Sequence, residues 1–170
     1  MVEVSVMVMY CDGGVVRRNP SPIGGTWACV FVGMAGEEVE RASGFVGRDH
    51  VGMDVTNNYT ELLATVEGME RLEDGWDGCI QTDSNVTRFR LTLEKPSMHG
   101  IPQALRDRLA ACKARLGKFD VTLLNGHPTK DELFKGVGRR GLPTSRWNVL
   151  CDQLCGEEAR RAMAHCEVAS

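Results

Sequence analysis

No run of apolar residues in this 170-residue chain approaches the roughly 20 that a membrane-spanning helix needs, so a bilayer is not an expected partner. No Cys-x-x-Cys pair occurs. The cysteines (Cys11, Cys29, Cys79, Cys112, Cys151, Cys155 and Cys166) are odd in number, which suits reduced thiols in a cytoplasm better than a disulfide framework. Cys151, Cys155, His165 and Cys166 are a conceivable zinc set. Cys151 and Cys155 fall one turn apart on an apolar helix row, however, where small buried hydrophobes are the expected use. The opening stretch MVEVSVMVMYC lacks the basic region of a secretory signal and carries Glu3, so a strand is expected there rather than a leader. Internal repeats, low-complexity tracts and linker-like breaks are also missing. A single domain over residues 1–170 is expected, as a monomer with no obligate protein partner.

The charge is unevenly placed. Residues 85–146 hold 13 Lys/Arg against five Asp/Glu, a net +8, which leaves −11 for the remainder of a chain whose total is −3. Such asymmetry fits an anionic partner beside the second half. The competing reading is that Arg106, Arg108, Lys113 and Arg115 form an ordinary solvated helix face.

Periodicity supplies the elements. EVSVMVMYCDGG, 3–14, alternates and then runs into Asp-Gly-Gly, a strand ending in a turn. A Pro- and Gly-bearing loop, 17–25, leads to a second strand at 26–33, and 34–47 holds a turn and a third. Short connections make these three an antiparallel meander. In 57–73, Leu62, Leu63, Val66, Met69 and Leu72 recur at helical spacing. A short strand (77–83), a helix capped by Ser84 (84–94) and a second helix (101–117) follow. Pro102 is expected in the first turn of that second helix, which carries a Leu105–Leu109–Cys112–Leu116 stripe. A fifth strand (118–126), a long loop (127–144) and a closing helix (145–166) complete the chain. Trp147, Leu150, Leu154, Ala162 and Cys166 should point inward from the closing helix. The order βββ-α-β-α-α-β-α implies an α/β fold with a mixed five-stranded sheet, three strands antiparallel and then two parallel, flanked by helices.

The acids fall at telling places. Asp12 ends the first strand before two glycines, and Asp83 ends the fourth. If those strands are parallel neighbours, both carboxylates project at the rim where α/β sheets bind ligands. Glu61 lies near the start of the first long helix. Asn58 followed by Glu61 reads as a capping box, yet the same glutamate could reach the rim. Carboxylates gathered there would repel one another and would bind protons or a hard cation such as Mg²⁺. Four of them would suit two ions about 3.5–4 Å apart, the arrangement for in-line attack on a phosphodiester.

The residues also resemble a known family. YCDGG, NPSPIGGTW, TNNYTELLA, IQTDSN, NGHP and NVLCDQLC, in that order and covering nearly the whole chain, are similar to the motifs of type 1 ribonuclease H. The resemblance implies the ribonuclease H-like fold and hydrolysis of the RNA strand of RNA–DNA hybrids with two Mg²⁺ ions, Mn²⁺ being a substitute. It implies that Asp12, Glu61, Asp83 and Asp152 hold the metal and that His127 assists proton transfer or product release. Gly13 and Gly14 would expose backbone to the 2′-OH of the RNA strand. Asn57, Asn58 and Asn85 would read the minor groove, and Asn19 and Thr56 would form a phosphate pocket on the DNA strand.

Two departures stand out. The tryptophan- and lysine-rich protrusion that follows the fourth strand in well-known members is missing. The 25 positions between His127 and Asp152 hold an extra piece, KDELFKGVGRRGLPTS. Lys135, Arg139 and Arg140 in this piece are expected to replace lost phosphate contacts. Its Asp131 and Glu132 are rivals for the fourth acid, but Asn148 one turn before Asp152 and Leu154 two positions after it favour Asp152. The alternatives are another nuclease on the same fold, a junction resolvase or an exonuclease, and a non-catalytic nucleic-acid-binding module.

Overall fold

The computed structural model describes residues 5–168, with side chains to 165. The expected strand start at Glu3–Val4 and the inward placement of Cys166 lie outside the described residues. Five strands, β1 (Val6–Val15), β2 (Gly24–Gly33), β3 (Glu38–Gly47), β4 (Cys79–Thr82) and β5 (Asp120–Leu123), form one sheet in the order β3-β2-β1-β4-β5. The first three pair antiparallel, while β1–β4 and β4–β5 pair parallel. The sequence-based topology therefore holds.

Alternation along the strands divides the core. Met9, Cys11, Cys29, Phe31 and Ile80 face a large cluster shared with α2 (Asn57–Met69) and α4 (Gln103–Arg115). Tyr10, Ala28, Val30, Val32 and Leu124 face α6 (Arg146–Val168), where Cys151, Leu154 and Cys155 meet them. Leu62, Val66 and Met69 of α2 are fully buried, each stabilising by about 1.5–3 kcal/mol. Trp147, Leu150 and Ala162 of α6 are only half-buried. The six described cysteines are unpaired, and five of them are buried.

Three local expectations are corrected. Thr56, not Asn58, caps α2: its Oγ1 accepts from the Tyr59 N–H at 3.2 Å. Asn57 and Asn58 already have helical geometry, so Glu61 lies too deep in the helix to close a capping box. Pro102 is the N-cap of α4 rather than part of its first turn. The expected loop 127–144 contains the helix α5 (Lys130–Lys135) and a 3-10 turn at Arg139–Gly141. Two further helices are α1 (Arg48–Val51), which the pattern did not announce, and α3 (Asn85–Thr92), capped by Ser84 as expected.

The α4 cations turn toward the protein. Arg108 donates to Glu67 at 2.7 Å and to both Glu70 oxygens at 2.8 and 2.7 Å. Arg115 donates to the Met69 and Leu72 carbonyls at 2.6 Å and to Asp74 at 2.8 Å, which satisfies carbonyls left open at the end of α2. Arg106 reaches the Met98 and Ile101 carbonyls, and Lys113 reaches the Arg90 carbonyl. The buried Arg90 donates to the carbonyls of Asn58, Ser97 and His99.

Candidate active site

Parallel pairing of Tyr10 with Gln81 sets the register of β1 and β4, and two more residues along each strand bring Asp12 level with Asp83. Asp12 does not end β1, as its position before two glycines suggests: β1 runs on to Val15 against β2, and Asp12 stands where the shorter β4 stops, so both carboxylates lie at the carboxyl end of β4. Gly13 brings the third acid. A Cβ on Gly13 would run into the Thr60–Glu61 backbone, so only glycine lets α2 cross β1 closely enough to place Glu61 beside Asp12. The fourth arrives on α6, which docks through Cys151, Leu154 and Cys155; the Cys155 thiol donates to the Asp12 carbonyl at 3.5 Å. Asp152 then stands on the solvent side of that helix, 53% exposed.

The electrostatics follow from this crowding. Asp12 is 8% exposed. Burial, then the charges of Asp83 and Asp152, hold its carboxyl well above the usual carboxylate range; a 2.8 Å hydrogen bond from the Gly13 N–H opposes this, and Glu61 adds the smallest push upward. Burial also raises the Glu61 carboxyl; the Ser84 hydroxyl opposes the shift, Asp83 adds to it and Arg90 opposes it. Asn57 Nδ2 donates to Glu61 Oε1 at 3.2 Å, and Asn148 Nδ2 donates to Asp83 Oδ2 at 3.3 Å.

These acids make a donor set of oxygen alone, the kind a hard divalent cation prefers. Among the described residues no three His, Cys, Asp or Glu side chains already share one coordination point. Closing a shell would therefore draw the side chains inward, which their mutual repulsion opposes until a cation is present. The fit to Mg²⁺ rests on donor chemistry and convergence at the rim.

Asp83, His127, Pro128, Asn148, Val149 and Asp152 line a recess of about 210 Å³. His127 is 80% exposed, with Nδ1 3.9 Å from Asp152 Oδ2. Its backbone is left-handed, φ 49°, at a position following Gly126. A Cβ on Gly126 would stand 2.7 Å from Asp83 Oδ2, so this glycine lets the turn pass close to the acid. Gly13 and Gly14 border a separate open trough that runs past Thr26 to Asp152 and Arg160.

The remaining predicted residues fall into three groups. Asn19 Oδ1 accepts from the Asn57 N–H at 3.1 Å, which ties the 17–25 loop to the start of α2 beside Thr56. Asn58 and Asn85 are exposed at the starts of α2 and α3. Lys135, Arg139 and Arg140 lie on the 129–144 segment, where Lys135 pairs with Asp131 at 2.6 Å. Glu132 is occupied in a capping box with Thr129, so the two rival acids are engaged away from the rim.

Sequence reasoning used Asn148 only as a register mark and passed over Asn125. Asn148 is 3% exposed, holds Asp83, and has no partner for Oδ1 among the described residues. Its signal was a polar side chain on the inward row of Cys151 and Cys155. Asn125 is buried and accepts from the Arg139 N–H at 3.1 Å, anchoring the segment that follows His127.

No family model matches the chain. A curated protein named Ribonuclease H, from Oleidesulfovibrio alaskensis, is 36% identical over 80 residues, 47% of this chain; the chain spans less than half (45%) of that relative's length. Among solved structures, the N-terminal RNase H domain of Rv2228c from Mycobacterium tuberculosis, solved as a fusion with maltose-binding protein, superposes with a TM-score of 0.67 at 16% identity. The match covers 96% of this chain and 99% of that one. LC11-RNase H1 in complex with an RNA/DNA hybrid gives 0.61 at 17% identity, covering 92% and 98%. The mixed sheet and its helices are those of the ribonuclease H fold.

Proposed function

We propose that this ribonuclease H-like protein is a divalent-metal-dependent endoribonuclease that hydrolyses the RNA strand of RNA–DNA hybrids. One observation carries the reading. Four carboxylates, carried by β1, α2, the end of β4 and α6, gather at one rim, and the most buried, Asp12, has its carboxyl raised by burial and by the charges of Asp83, Asp152 and Glu61. The partial similarity to a protein named Ribonuclease H and the fold shared with a hybrid-bound RNase H1 support the same reading.

Asp12, Glu61, Asp83 and Asp152 would hold Mg²⁺, two ions being the number that four carboxylates suit, with Mn²⁺ as the substitute. Bound there, the metal supplies charge stabilisation at the phosphodiester and a more acidic water. The chain's own groups orient the acids: the Gly13 N–H fixes Asp12, Asn57 fixes Glu61, and Asn148 fixes Asp83. His127, exposed with its Nδ1 3.9 Å from Asp152 Oδ2, would carry a proton on its imidazole at the mouth of the recess. Asn19, Thr56 and the first turn of α2 would grip a phosphate of the DNA strand. Asn58, Asn85 and the backbone at Gly13 and Gly14 would face the minor groove, where the 2′-OH distinguishes RNA.

Incubation with labelled hybrid, duplex DNA, four-way junction and single strands, in Mg²⁺ and in EDTA, tests the assignment. Metal-dependent cutting of the RNA strand in the hybrid is expected. Cutting of the junction or duplex DNA instead would place the chain with another nuclease class.

A further inference from the structure

We infer that residues 129–144 form a docking lobe for unpaired nucleotides that continue from the end of a hybrid. The inference rests on the hybrid-cleaving reading and gives it a preference for tailed substrates.

The lobe is an ordered, tied structure. The capping box of Thr129 and Glu132 starts α5, and Gly136 ends it in a left-handed conformation. Thr144 closes it from the far side, its N–H donating to the Gly136 carbonyl at 3.2 Å and its Oγ1 to the Glu132 carbonyl at 3.1 Å. A bridge joins Val137 to Pro143, and Asn125 holds both limbs, donating its N–H to the Pro143 carbonyl and accepting from Arg139.

On this frame stands Phe134, 93% exposed, with Val137 50% exposed beside it. Leaving an aromatic in water forgoes the burial that normally stabilises a fold. On the same lobe, Lys130 one turn before Phe134 on α5 and Arg139 and Arg140 of the 3-10 turn form no ion pair or side-chain hydrogen bond among the described residues, whereas Lys135 is held by Asp131. A small lobe that carries both an exposed aromatic and uncommitted cations is complementary to a base with its neighbouring phosphates. Bases inside a duplex offer no face to stack on; bases of a single strand do. The lobe begins two positions after His127, so a strand leaving the candidate active site on that side would meet it.

The test is binding, measured in EDTA by fluorescence anisotropy, of a blunt 12-base-pair RNA–DNA hybrid and of the same hybrid with a six-nucleotide oligo-dT tail on either end. Wild type should bind the better tailed probe roughly 5- to 150-fold tighter, the range one stacked base provides. Phe134→Ala should bring the ratio close to one, while Phe134→Trp should preserve it. Because Phe134 touches little, circular dichroism of both variants should match wild type. Equal binding of blunt and tailed probes by wild type, or an undiminished ratio in Phe134→Ala, would overturn the inference. So would retention on phosphatidylserine vesicles without any tail preference, which would make the lobe a membrane contact. Binding without metal keeps the two readings apart: tail preference in a protein that cuts no hybrid would refute only the catalytic reading, and hybrid cutting without tail preference only the lobe.

Discussion

On α4, Arg108 and Arg115 direct their donors to Glu67, Glu70, Asp74 and the open carbonyls at the end of α2; on the lobe between β5 and α6, Lys130, Arg139 and Arg140 meet no carboxylate among the described residues. Both segments contribute to the same +8 stretch of sequence. One set of charges is neutralised within the fold and serves stability. The other is left for an anion. The acid rim is the lobe's counterpart in the opposite sign, since Asp12 is buried beside the charges of Asp83 and Asp152. Charges satisfied internally should therefore affect melting when removed, and charges left open should affect function.

The largest expected effect is at the rim. Asp83→Asn removes a charge without changing shape and should reduce hybrid cleavage on the order of 10³-fold or more, the scale of losing a principal transition-state stabiliser, with the fold intact by circular dichroism. His127→Ala should lower kcat by ~10–100-fold, at or below the low end of general acid–base contributions, with KM nearly constant. An effect on Mg²⁺ affinity instead of kcat would remove His127 from its assigned role. Lys130, Arg139 and Arg140 changed together to Ala should raise KM several-fold and flatten the salt dependence of binding by up to about 0.9 per lost phosphate contact. An unchanged salt slope would place the lobe with α4 as a merely structural element. Arg108→Ala should do the reverse, destabilising by about 1 kcal/mol for a partly exposed network while KM and salt slope stay at wild-type values.

The smallest effect is in the pH dependence of melting. The Asp12 carboxyl is raised in the folded protein, so its contribution to stability is fully present below the ordinary carboxylate value near 3.9 and is lost as pH rises through the raised value. Metal-free Asp12→Asn should consequently melt higher than wild type at neutral pH, by a few degrees at most, with the gap closing toward acid. A gap that widened on acidification would contradict this sign.

The fold was legible wherever periodicity was strong. The antiparallel meander followed from short connections and the parallel pair from the helices between strands; the adjacency of β1 and β4, on which the meeting of Asp12 and Asp83 depends, was only a condition in the sequence and is supplied by the fold. Decisions about a single residue were less legible. Thr56 and Asn58 are both good caps, and only the backbone settles that the helix begins at Asn57. The lobe's helix is six residues long, too short for a periodic signal, although Thr129–Glu132 carried the cap pattern. The destinations of Arg108 and Arg115 could not be read locally, because their partners lie about 40 positions away. Asn148 was visible as a polar residue on an apolar row, but the row does not name Asp83 as its neighbour.

Cleavage of a labelled RNA–DNA hybrid by Asp12→Asn at saturating Mg²⁺, alongside wild type, tests the central claim most directly. The charge removed is the most buried of the rim. The account predicts metal-dependent cutting of the RNA strand by wild type and none above background by the folded variant. A variant that cuts at near the wild-type rate would contradict it.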